Sequence, residues 1–404
     1  MDDVIIVGAG WAGLAAALFA LEQGKARGAK IRLIAQGIGS PIVTPGWISL
    51  LDAANGDVRR GLVDLVRAHP NHPYALVGAE VIMKAVESFL AISAAIGLPY
   101  TGERVGNRTL RTALGGVATP ALVPPGYAAS MGDTPLFVGF AGWRDYYPAL
   151  SGNAVYVTLP NQDRLWDAPP TEIAREFDAA AVRQAAAEQI KGHLKGISAV
   201  GFPAVLGLAD PQAAIADLTA LLGVPVFEVP TLPPSVPGTR LYNAIRRYLL
   251  DHKVRMQVGH PVGRGLIEQG RVVGVEVEAV GKPQPFRARA VILATGNLYG
   301  GGLFSDDRGH IWEGIFNLPV QYPKDRSGWF AETMLAAGGH PIHHVGIRVD
   351  EAMQPLDEAG EPFAEGLYAA GHLIAHPSGA PSPLETSEGV ALATAYKAVQ
   401  SALA

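Results

Sequence analysis

A glycine-rich turn near the amino terminus constrains the fold of this chain more than any other feature. Gly8-Ala9-Gly10-Trp11-Ala12-Gly13 matches the pattern G-x-G-x-x-G. It stands between a strand-like run at 4–7 and an alanine-rich helix at 14–23, which is the context that the pattern requires. With a second strand at 30–35, the segment predicts a βαβ unit of the Rossmann type, in which the loop would receive a ligand phosphate. The expected cofactor residues here are Gly8, Gly10, Trp11, Ala12 and Gly13.

The second strand ends without the acidic residue that usually accompanies this pattern. Dinucleotide-binding folds place an Asp or Glu about 20 residues beyond the glycines, where it hydrogen-bonds the adenosine ribose. Here the strand ends in Ala35-Gln36-Gly37. Gln36 can donate or accept a hydrogen bond toward a ribose hydroxyl, but no carboxylate is present. This weakens NAD and ordinary FAD binding, whereas FMN has no adenosine and loses no contact. The residues leave FMN and FAD as nearly equal alternatives, with Gln36 and Gly37 at the cofactor.

The composition excludes several classes of site and partner. The 404-residue chain contains no cysteine, which excludes disulfides, thiolate metal sites, cysteine nucleophiles and cysteine-ligated iron–sulfur clusters within it. The 32 Lys and Arg residues against 37 Asp and Glu residues give a formal net charge of −5. This charge provides no general attraction toward nucleic acid or an anionic bilayer, so we expect neither as a partner.

Residues 4–21 carry no charge, and their length alone would satisfy the threshold for a transmembrane helix. However, a strand-like run and three glycines occupy the first part of this stretch. No Lys or Arg precedes it, as a signal peptide would require. We therefore expect a cytoplasmic chain without direct membrane insertion.

Two later segments also place small residues after a strand. The run Ala290–Leu293 leads into Thr295-Gly296, and a strand beginning at Gly366 leads into Gly371-His372. Small residues there would let a nucleotide lie against the backbone, and the amino terminus of the last helix would face the pyrimidine end of a flavin. The further expected cofactor residues are Ser49, Thr295, Gly296, Gly371, His372 and Gly389.

These elements predict an α/β fold with a Rossmann-like FAD/NAD(P)-binding-type domain built from the amino- and carboxyl-terminal parts of the chain. This domain comprises residues 1–45, 238–300 and 360–404. Residues 46–237 form a large inserted α/β domain, and 301–359 form a small additional segment at the domain interface.

Within the insert, helices are expected at 58–68 and 80–96. Strand-like runs at 136–140, 199–202 and 224–229 predict a second, smaller sheet.

Four segments carry a resemblance to a known family. They are FPAVLGLAD at 202–210, TLPPSVPGTR at 231–240, ATGNLYGGG at 294–302 and GLYAAG at 366–371. The chain resembles the B subunit of anaerobic glycerol-3-phosphate dehydrogenase over nearly its whole length. That family falls within the two-dinucleotide-binding-domain flavoproteins, which include the succinate dehydrogenase and fumarate reductase flavoprotein subunits.

The resemblance implies a flavin-dependent oxidoreductase subunit with FMN, or FAD as the close alternative. A partner catalytic flavoprotein subunit would oxidise sn-glycerol 3-phosphate to dihydroxyacetone phosphate, and an iron–sulfur subunit would pass electrons to quinone. The chain would lie at the periphery of the inner membrane through these partners. A non-catalytic flavin electron-transfer or scaffold subunit, and an independent flavin dehydrogenase of an unrelated small molecule, stay open as alternatives.

One segment departs from the family. Where relatives tend toward glycines near the last helix, this chain has Thr386-Ser387-Glu388 before Gly389. A carboxylate close to a flavin would alter its redox potential.

The candidate catalytic residues are histidines and one arginine. Oxidation of an alcohol needs a group that takes the hydroxyl proton, and His343, His344 or His372 could do so. Arg240 could bind a phosphate through its two-pronged guanidinium group, or it could lie on a solvated helix face with Arg246 and Arg247. Arg104, Arg108 and Arg111 would suit an anionic substrate or an acidic partner surface. The histidines at 340–344 match no zinc spacing, so we expect no metal.

Overall fold

The computed structural model describes residues 1–52, 56–102, 106–151, 155–159, 169–334, 336, 339–377, 380 and 386–404. The chain forms two compact units. Unit 1 comprises Met1–Ser40, Ser49–Ile92 and Ile245–Ala404, and unit 2 comprises Pro41–Ile48 and Ser93–Ala244.

The helices are α1 (Trp11–Gly24), α2 (Val58–Ala68), α3 (Pro73–Val77), α4 (Ala79–Ala95), α5 (Pro170–Glu176), α6 (Ala180–Lys191), α7 (Pro211–Leu222), α8 (Val236–Asp251) and α9 (Ser387–Ala402). In the described part of the chain, no helix is both long enough and apolar enough to cross a membrane.

The strands are β1 (Asp2–Val7), β2 (Ile31–Ala35), β3 (Leu110–Arg111), β4 (Val117–Ala118), β5 (Pro135–Phe140), β6 (Val155–Leu159), β7 (Ala199–Pro203), β8 (Val226–Val229), β9 (Arg255–Val258), β10 (Val262–Glu268), β11 (Arg271–Val277), β12 (Gln284–Leu293), β13 (Leu303–Ser305), β14 (Ile311–Glu313), β15 (Val320–Gln321), β16 (Gly346–Ile347) and β17 (Leu367–Ala369).

Unit 1 is built on a parallel sheet with the strand order β17-β12-β1-β2-β9. Its two central strands are apolar and buried over their carboxyl-terminal parts, Val4–Val7 and Ala290–Leu293, and Ile5 and Ile292 are fully buried, as expected for a parallel sheet covered on both faces. Strands β10 and β11 extend β12 as an antiparallel meander. Because parallel strands end at one edge of the sheet, the segments after β1, β12 and β17 meet there. Gly8, Thr295 and Gly371 therefore lie along the same edge.

Helices α1 and α9 pack together in unit 1 and run in the same direction. Near the start of α1, Ala12 lies against Gly371, whose N–H group donates to Thr394 Oγ1 in α9 at 2.9 Å. Further along, the rings of Phe19 and Tyr396 meet edge to face with centroids 5.0 Å apart. At the other end of the pair, a methyl group on Gly24 would lie 3.7 Å from Leu403 Cδ1, directly after the last residue of α9. Because α1 has 14 residues and α9 has 16, the two helices begin within about one turn of each other.

Unit 2 contains a parallel sheet with the strand order β6-β5-β7-β8. Aromatic rings fill its core, including the edge-to-face pairs Phe137–Phe227 and Phe177–Phe202, both with centroids 6.0 Å apart. The strands expected at 136–140, 199–202 and 224–229 are confirmed as β5, β7 and β8. Strand β6 (Val-Tyr-Val-Thr-Leu) lies at the edge of the sheet and is largely exposed, and it was not among the strands expected from the sequence.

The α/β fold class is confirmed, while the compact units are divided differently from the expected domains. Residues 49–92 and 301–359 belong to unit 1. A tertiary contact explains the first of these, because Tyr74 in α3 donates to Leu50 O and lies against Gly389 in α9. The expected domain boundaries stay a prediction.

Candidate cofactor site

The glycine loop is closed by packing at two of its glycines and open at the third. Gly8 has a φ of 115°, and a methyl group on it would overlap the carbonyl oxygen of Ala294. A methyl group on Gly13 would overlap the carbonyl oxygen of Gly8. One on Gly10 would meet Ser40 Oγ at 3.5 Å, an ordinary contact. Packing within the protein thus explains Gly8 and Gly13, whereas the space at Gly10 is available to a ligand.

The amino terminus of α1 suits an anionic group. Gly10 caps this helix without a side-chain hydrogen bond, and the first turn carries no acidic residue. The positive end of the helix dipole is therefore not offset by a carboxylate of that turn. Trp11 and Ala12 are both buried, with 7% of each surface exposed. The arrangement fits a phosphate group bound at Gly10.

The turn after β12 presents a buried hydroxyl group. Thr295 Oγ1 has no hydrogen-bond partner among the described residues. Gly302 packs closely enough that a methyl group on it would lie 2.5 Å from this oxygen. A buried polar group without a partner costs about 1–3 kcal/mol, so a ligand that bonds to Thr295 would recover that cost. Gly296 follows directly in the same turn.

Gly371 allows close packing between the segment after β17 and the start of α1. Its φ is 74°, and a methyl group on it would lie 2.6 Å from Ala12 Cβ. The glycine therefore brings the segment after β17 against the start of α1, and His372 is the next residue of that segment.

The first turn of α9 holds a buried carboxyl group. Glu388 is 6% exposed, and burial raises its pKa from 4.5 to about 7. The N–H group of Ser49 donates to Glu388 Oε2 at 3.4 Å, and the N–H group of Gly389 donates to Ser49 O at 3.0 Å. A methyl group on Gly389 would overlap the hydroxyl group of Tyr74. The structure thus brings Ser49 and Gly389 together, and their contact with a cofactor stays a prediction.

Gln36 and Gly37 directly follow β2 and are exposed. A methyl group on Gly37 would meet nothing within 4 Å. The end of this strand is therefore accessible to a ligand, and the first acidic side chain after it is Asp52.

Two of the candidate histidines lie in the short helical turn Pro341–His344. His343 Nε2 lies 3.2 Å from the hydroxyl oxygen of Tyr299. Partial burial, with smaller contributions from His340 and His344, lowers the pKa of His343 below 6.5. The ring is therefore mostly neutral at pH 7 and can accept a proton.

Behind this turn lies a buried group of imidazoles that sequence reasoning did not identify as a cluster. The His72 and His376 rings meet edge to face with centroids 5.0 Å apart, and His344 lies 6.4 Å from His376. Burial, followed by His72, His372 and His344, lowers the pKa of His376 well below 6.5. Burial also lowers the pKa of His372. Among the described residues, no group of three or more His, Cys, Asp or Glu side chains is arranged to hold a metal ion.

His72 has a defined tautomer. Its Nδ1 accepts a hydrogen bond from the N–H group of Tyr74 at 3.1 Å, so the proton of the neutral ring lies on Nε2. Burial, together with His69 and His344, lowers its pKa to about 4. The motif His69-Pro-Asn-His72 was visible in the sequence, but its partner His376 lies more than 300 residues away.

The structure does not support a phosphate-binding role for Arg240. The side chain is 5% exposed and makes a two-pronged ion pair with Glu228, with Nη1–Oε2 at 2.8 Å and Nη2–Oε1 at 2.9 Å. Its Nε donates to Gly207 O at 2.6 Å. These bonds occupy the donors that a phosphate would use, so Arg240 ties together segments of unit 2. It is not on a solvated helix face either.

Among the described residues, the other candidate arginines, Arg108 and Arg111, do not form a common anion-binding site. Arg108 donates to Ala128 O at 3.3 Å, and Arg111 is exposed on β3. Arg104 lies outside the described residues.

Taken together, the edge of the unit 1 sheet fits a flavin nucleotide. The open position at Gly10 suits a phosphate, Thr295 offers a hydroxyl group without a partner, and Thr386 Oγ1 at the start of α9 is buried without a partner among the described residues. Gly10 and Thr295 follow strands that end at one edge, where open α/β sheets bind their ligands, and Thr386 begins the helix that packs beside α1.

Comparison with known proteins identifies the family of this chain. Residues 3–385 match the family described as FAD binding domain. The probable B subunit of anaerobic glycerol-3-phosphate dehydrogenase from Halobacterium salinarum is 31% identical over 98% of this chain and 96% of its own length. The B subunit of the enzyme from Pectobacterium atrosepticum is 28% identical over 92% of each chain. The solved 3-ketosteroid delta1-dehydrogenase from Sterolibacterium denitrificans covers 100% of this chain and 99% of its own, with 12% identity and a TM-score of 0.49.

The family match supports a flavin, and it supports FAD more directly than FMN. The expectation of a flavoprotein resembling the B subunit is confirmed. The chain therefore belongs to the FAD binding domain family and, within it, to the B-subunit family of anaerobic glycerol-3-phosphate dehydrogenases, as a flavin-dependent oxidoreductase subunit.

Proposed function

We propose that the chain is the flavin-bearing intermediate of a complex that oxidises sn-glycerol 3-phosphate to dihydroxyacetone phosphate. The observation that supports the flavin is the glycine loop, which is open at Gly10 while Gly8 and Gly13 are closed by packing. Family membership supports the substrate and the complex. The cofactor would supply two-electron acceptance and stepwise electron release.

The residues of the site would divide the cofactor between them. Gly10 and the first turn of α1 would hold the phosphates, and Thr295 and Gly296 would lie against the middle of the ligand. Ser49 and the first turn of α9 would contact the polar edge of the ring. FAD also needs a contact for its adenosine ribose, and Gln36 is in the position to provide it.

The remaining chemistry would belong to partner subunits. A catalytic flavoprotein subunit would bind the phosphoester and take its electrons, and an iron–sulfur subunit would carry electrons to membrane quinone. Because this chain has no cysteine, conventional clusters need another chain. Membrane association at the cytoplasmic face would then be peripheral and would depend on the partners.

A second candidate is that this chain itself oxidises the alcohol. The pair formed by His343 and Tyr299 favours it, because a largely neutral imidazole can take the hydroxyl proton while the Tyr299 hydroxyl fixes its orientation.

An assay with sn-glycerol 3-phosphate and an artificial electron acceptor separates the two. We expect the purified chain alone to leave the dye oxidised, and its flavin absorbance to bleach only when the partner flavoprotein subunit is added. Dye reduction by the isolated chain that is lost in His343→Gln would replace the first candidate by the second. His252→Gln, at the exposed end of α8, is the matched control. Absence of bleaching with all partners present would contradict both.

A further inference from the structure

Glu388 is a buried acid without a charged partner. Its neighbours are the N–H group of Ser49, the side chain of Ser387 and the hydroxyl group of Tyr74. The Tyr74 hydroxyl group donates its hydrogen bond to Leu50 O at 2.7 Å, so it does not stabilise the charge of the Glu388 carboxylate. Among the described residues, no Lys, Arg or His forms an ion pair with Glu388. Burial in this setting disfavours the ionised form, and the acid is poised near neutrality.

The position of Glu388 places it at the ligand end of α9. The first turn of this helix lies within about one turn of the level at which α1 begins, on the side of the sheet edge that carries the glycine loop. Thr386, in the N-cap position of α9, makes no side-chain cap hydrogen bond, and its buried hydroxyl has no partner among the described residues. This second observation indicates that the helix end faces a polar ligand.

An ionised Glu388 would oppose the usual effect of a helix amino terminus. The helix end favours negative charge on an adjacent ligand, whereas a carboxylate in its first turn disfavours that charge. Reducing a cofactor adds electrons beside the carboxylate, so the free energy of the site falls if the carboxylate takes a proton at the same time.

We propose that Glu388 takes up one proton when the flavin bound beside α9 is reduced, and releases it when the flavin is reoxidised. This inference rests on the proposed function. Two electrons enter from the partner flavoprotein subunit, or from dithionite in a titration. The proton comes from solvent and forms one O–H bond on the carboxyl group. On reoxidation the electrons pass to the iron–sulfur subunit and the proton returns to solvent.

The coupling makes the reduction potential depend on pH. A tenfold change in proton concentration corresponds to about 30 mV for one proton per two electrons. Glu388 therefore adds about 30 mV per pH unit to the slope of the flavin reduction potential against pH, around and above neutrality. Glu388→Gln removes this addition and also shifts the potential to a more positive value at alkaline pH, because the opposing charge is gone.

The test is a potentiometric titration of the flavin-loaded chain with dithionite and mediator dyes at several pH values. The matched control is Glu365→Gln, which changes an exposed glutamate at the amino end of β17, the opposite edge of the sheet. We expect wild type and Glu365→Gln to share one slope, and Glu388→Gln to fall below it by about 30 mV per pH unit. Equal slopes in three yellow proteins would overturn the role of Glu388 and leave the proposed function standing. A chain that binds no flavin would overturn both.

A measurement on the wild-type protein covers the case in which Glu388→Gln does not fold. The infrared difference spectrum between the reduced and oxidised forms should show a protonated carboxyl band that appears on reduction and shifts in deuterium oxide. Absence of such a band would overturn the proposal.

Discussion

Replacing His72 by Asn should make unit 1 less sensitive to acid. The His72 ring is fully buried, and its pKa in the folded chain is about 4, compared with 6.5 for an ordinary histidine. The folded state therefore favours the neutral ring. The contribution of the neutral His72 ring to the free energy of unfolding is fully present above pH 6.5 and is lost as pH falls from 6.5 to about 4. The difference between the two pKa values corresponds to about 3 kcal/mol, of which about 2 kcal/mol is lost by pH 5.

Asn is the informative substitution because its side-chain oxygen can replace Nδ1 as the acceptor for the Tyr74 N–H group, which preserves the cap of α3. Urea denaturation at pH 7.5 and pH 5 should show that His72→Asn loses about 2 kcal/mol less on acidification than wild type does. His252→Asn, at an exposed position directly after α8, should behave like wild type. An equal loss in wild type and His72→Asn would refute the reasoning that His72 is held neutral in the fold.

Further substitutions separate packing from ligand binding. Gly13→Ala should lower the melting temperature, because its methyl group overlaps Gly8 O, whereas Gly10→Ala should melt like the apo wild type and bind flavin about tenfold more weakly. Unchanged flavin affinity in Gly10→Ala would contradict the assignment of the open position. Arg240→Met should cost about 3–5 kcal/mol in chemical denaturation because it leaves Glu228 buried and unpaired. Adding Glu228→Leu should recover much of that loss, and a single variant as stable as wild type would argue against a structural role for the pair.

The sequence predicted the parts of the site that depend on neighbouring residues. The loop from Gly8 to Gly13 could be read because its turn, its strand and its helix are consecutive in the chain. Thr295 and Gly371 could be placed at one edge of the sheet because each follows a buried apolar run and the strands are parallel, while their contact with the cofactor stays a prediction.

The contacts that decide the chemistry are not local, and the sequence did not reveal them. Arg240 has the same residue type and helix position whether it binds a phosphate or Glu228, and only the fold of unit 2 decides between them. The pairing of His72 with His376 and the packing of Tyr74 against the start of α9 join segments about 300 residues apart. The resemblance to a family predicts the presence of a flavin, while the proton chemistry around it depends on these distant contacts.

The central claim is that the sheet edge of unit 1 binds a flavin, and the cofactor of the purified chain tests it most directly. An absorption spectrum, followed by acid release and chromatographic identification, should show a yellow protein that releases FAD. Release of FMN would keep the flavoprotein and remove the role of Gln36 at an adenosine ribose. A colourless chain that neither FAD nor FMN reconstitutes would contradict the account.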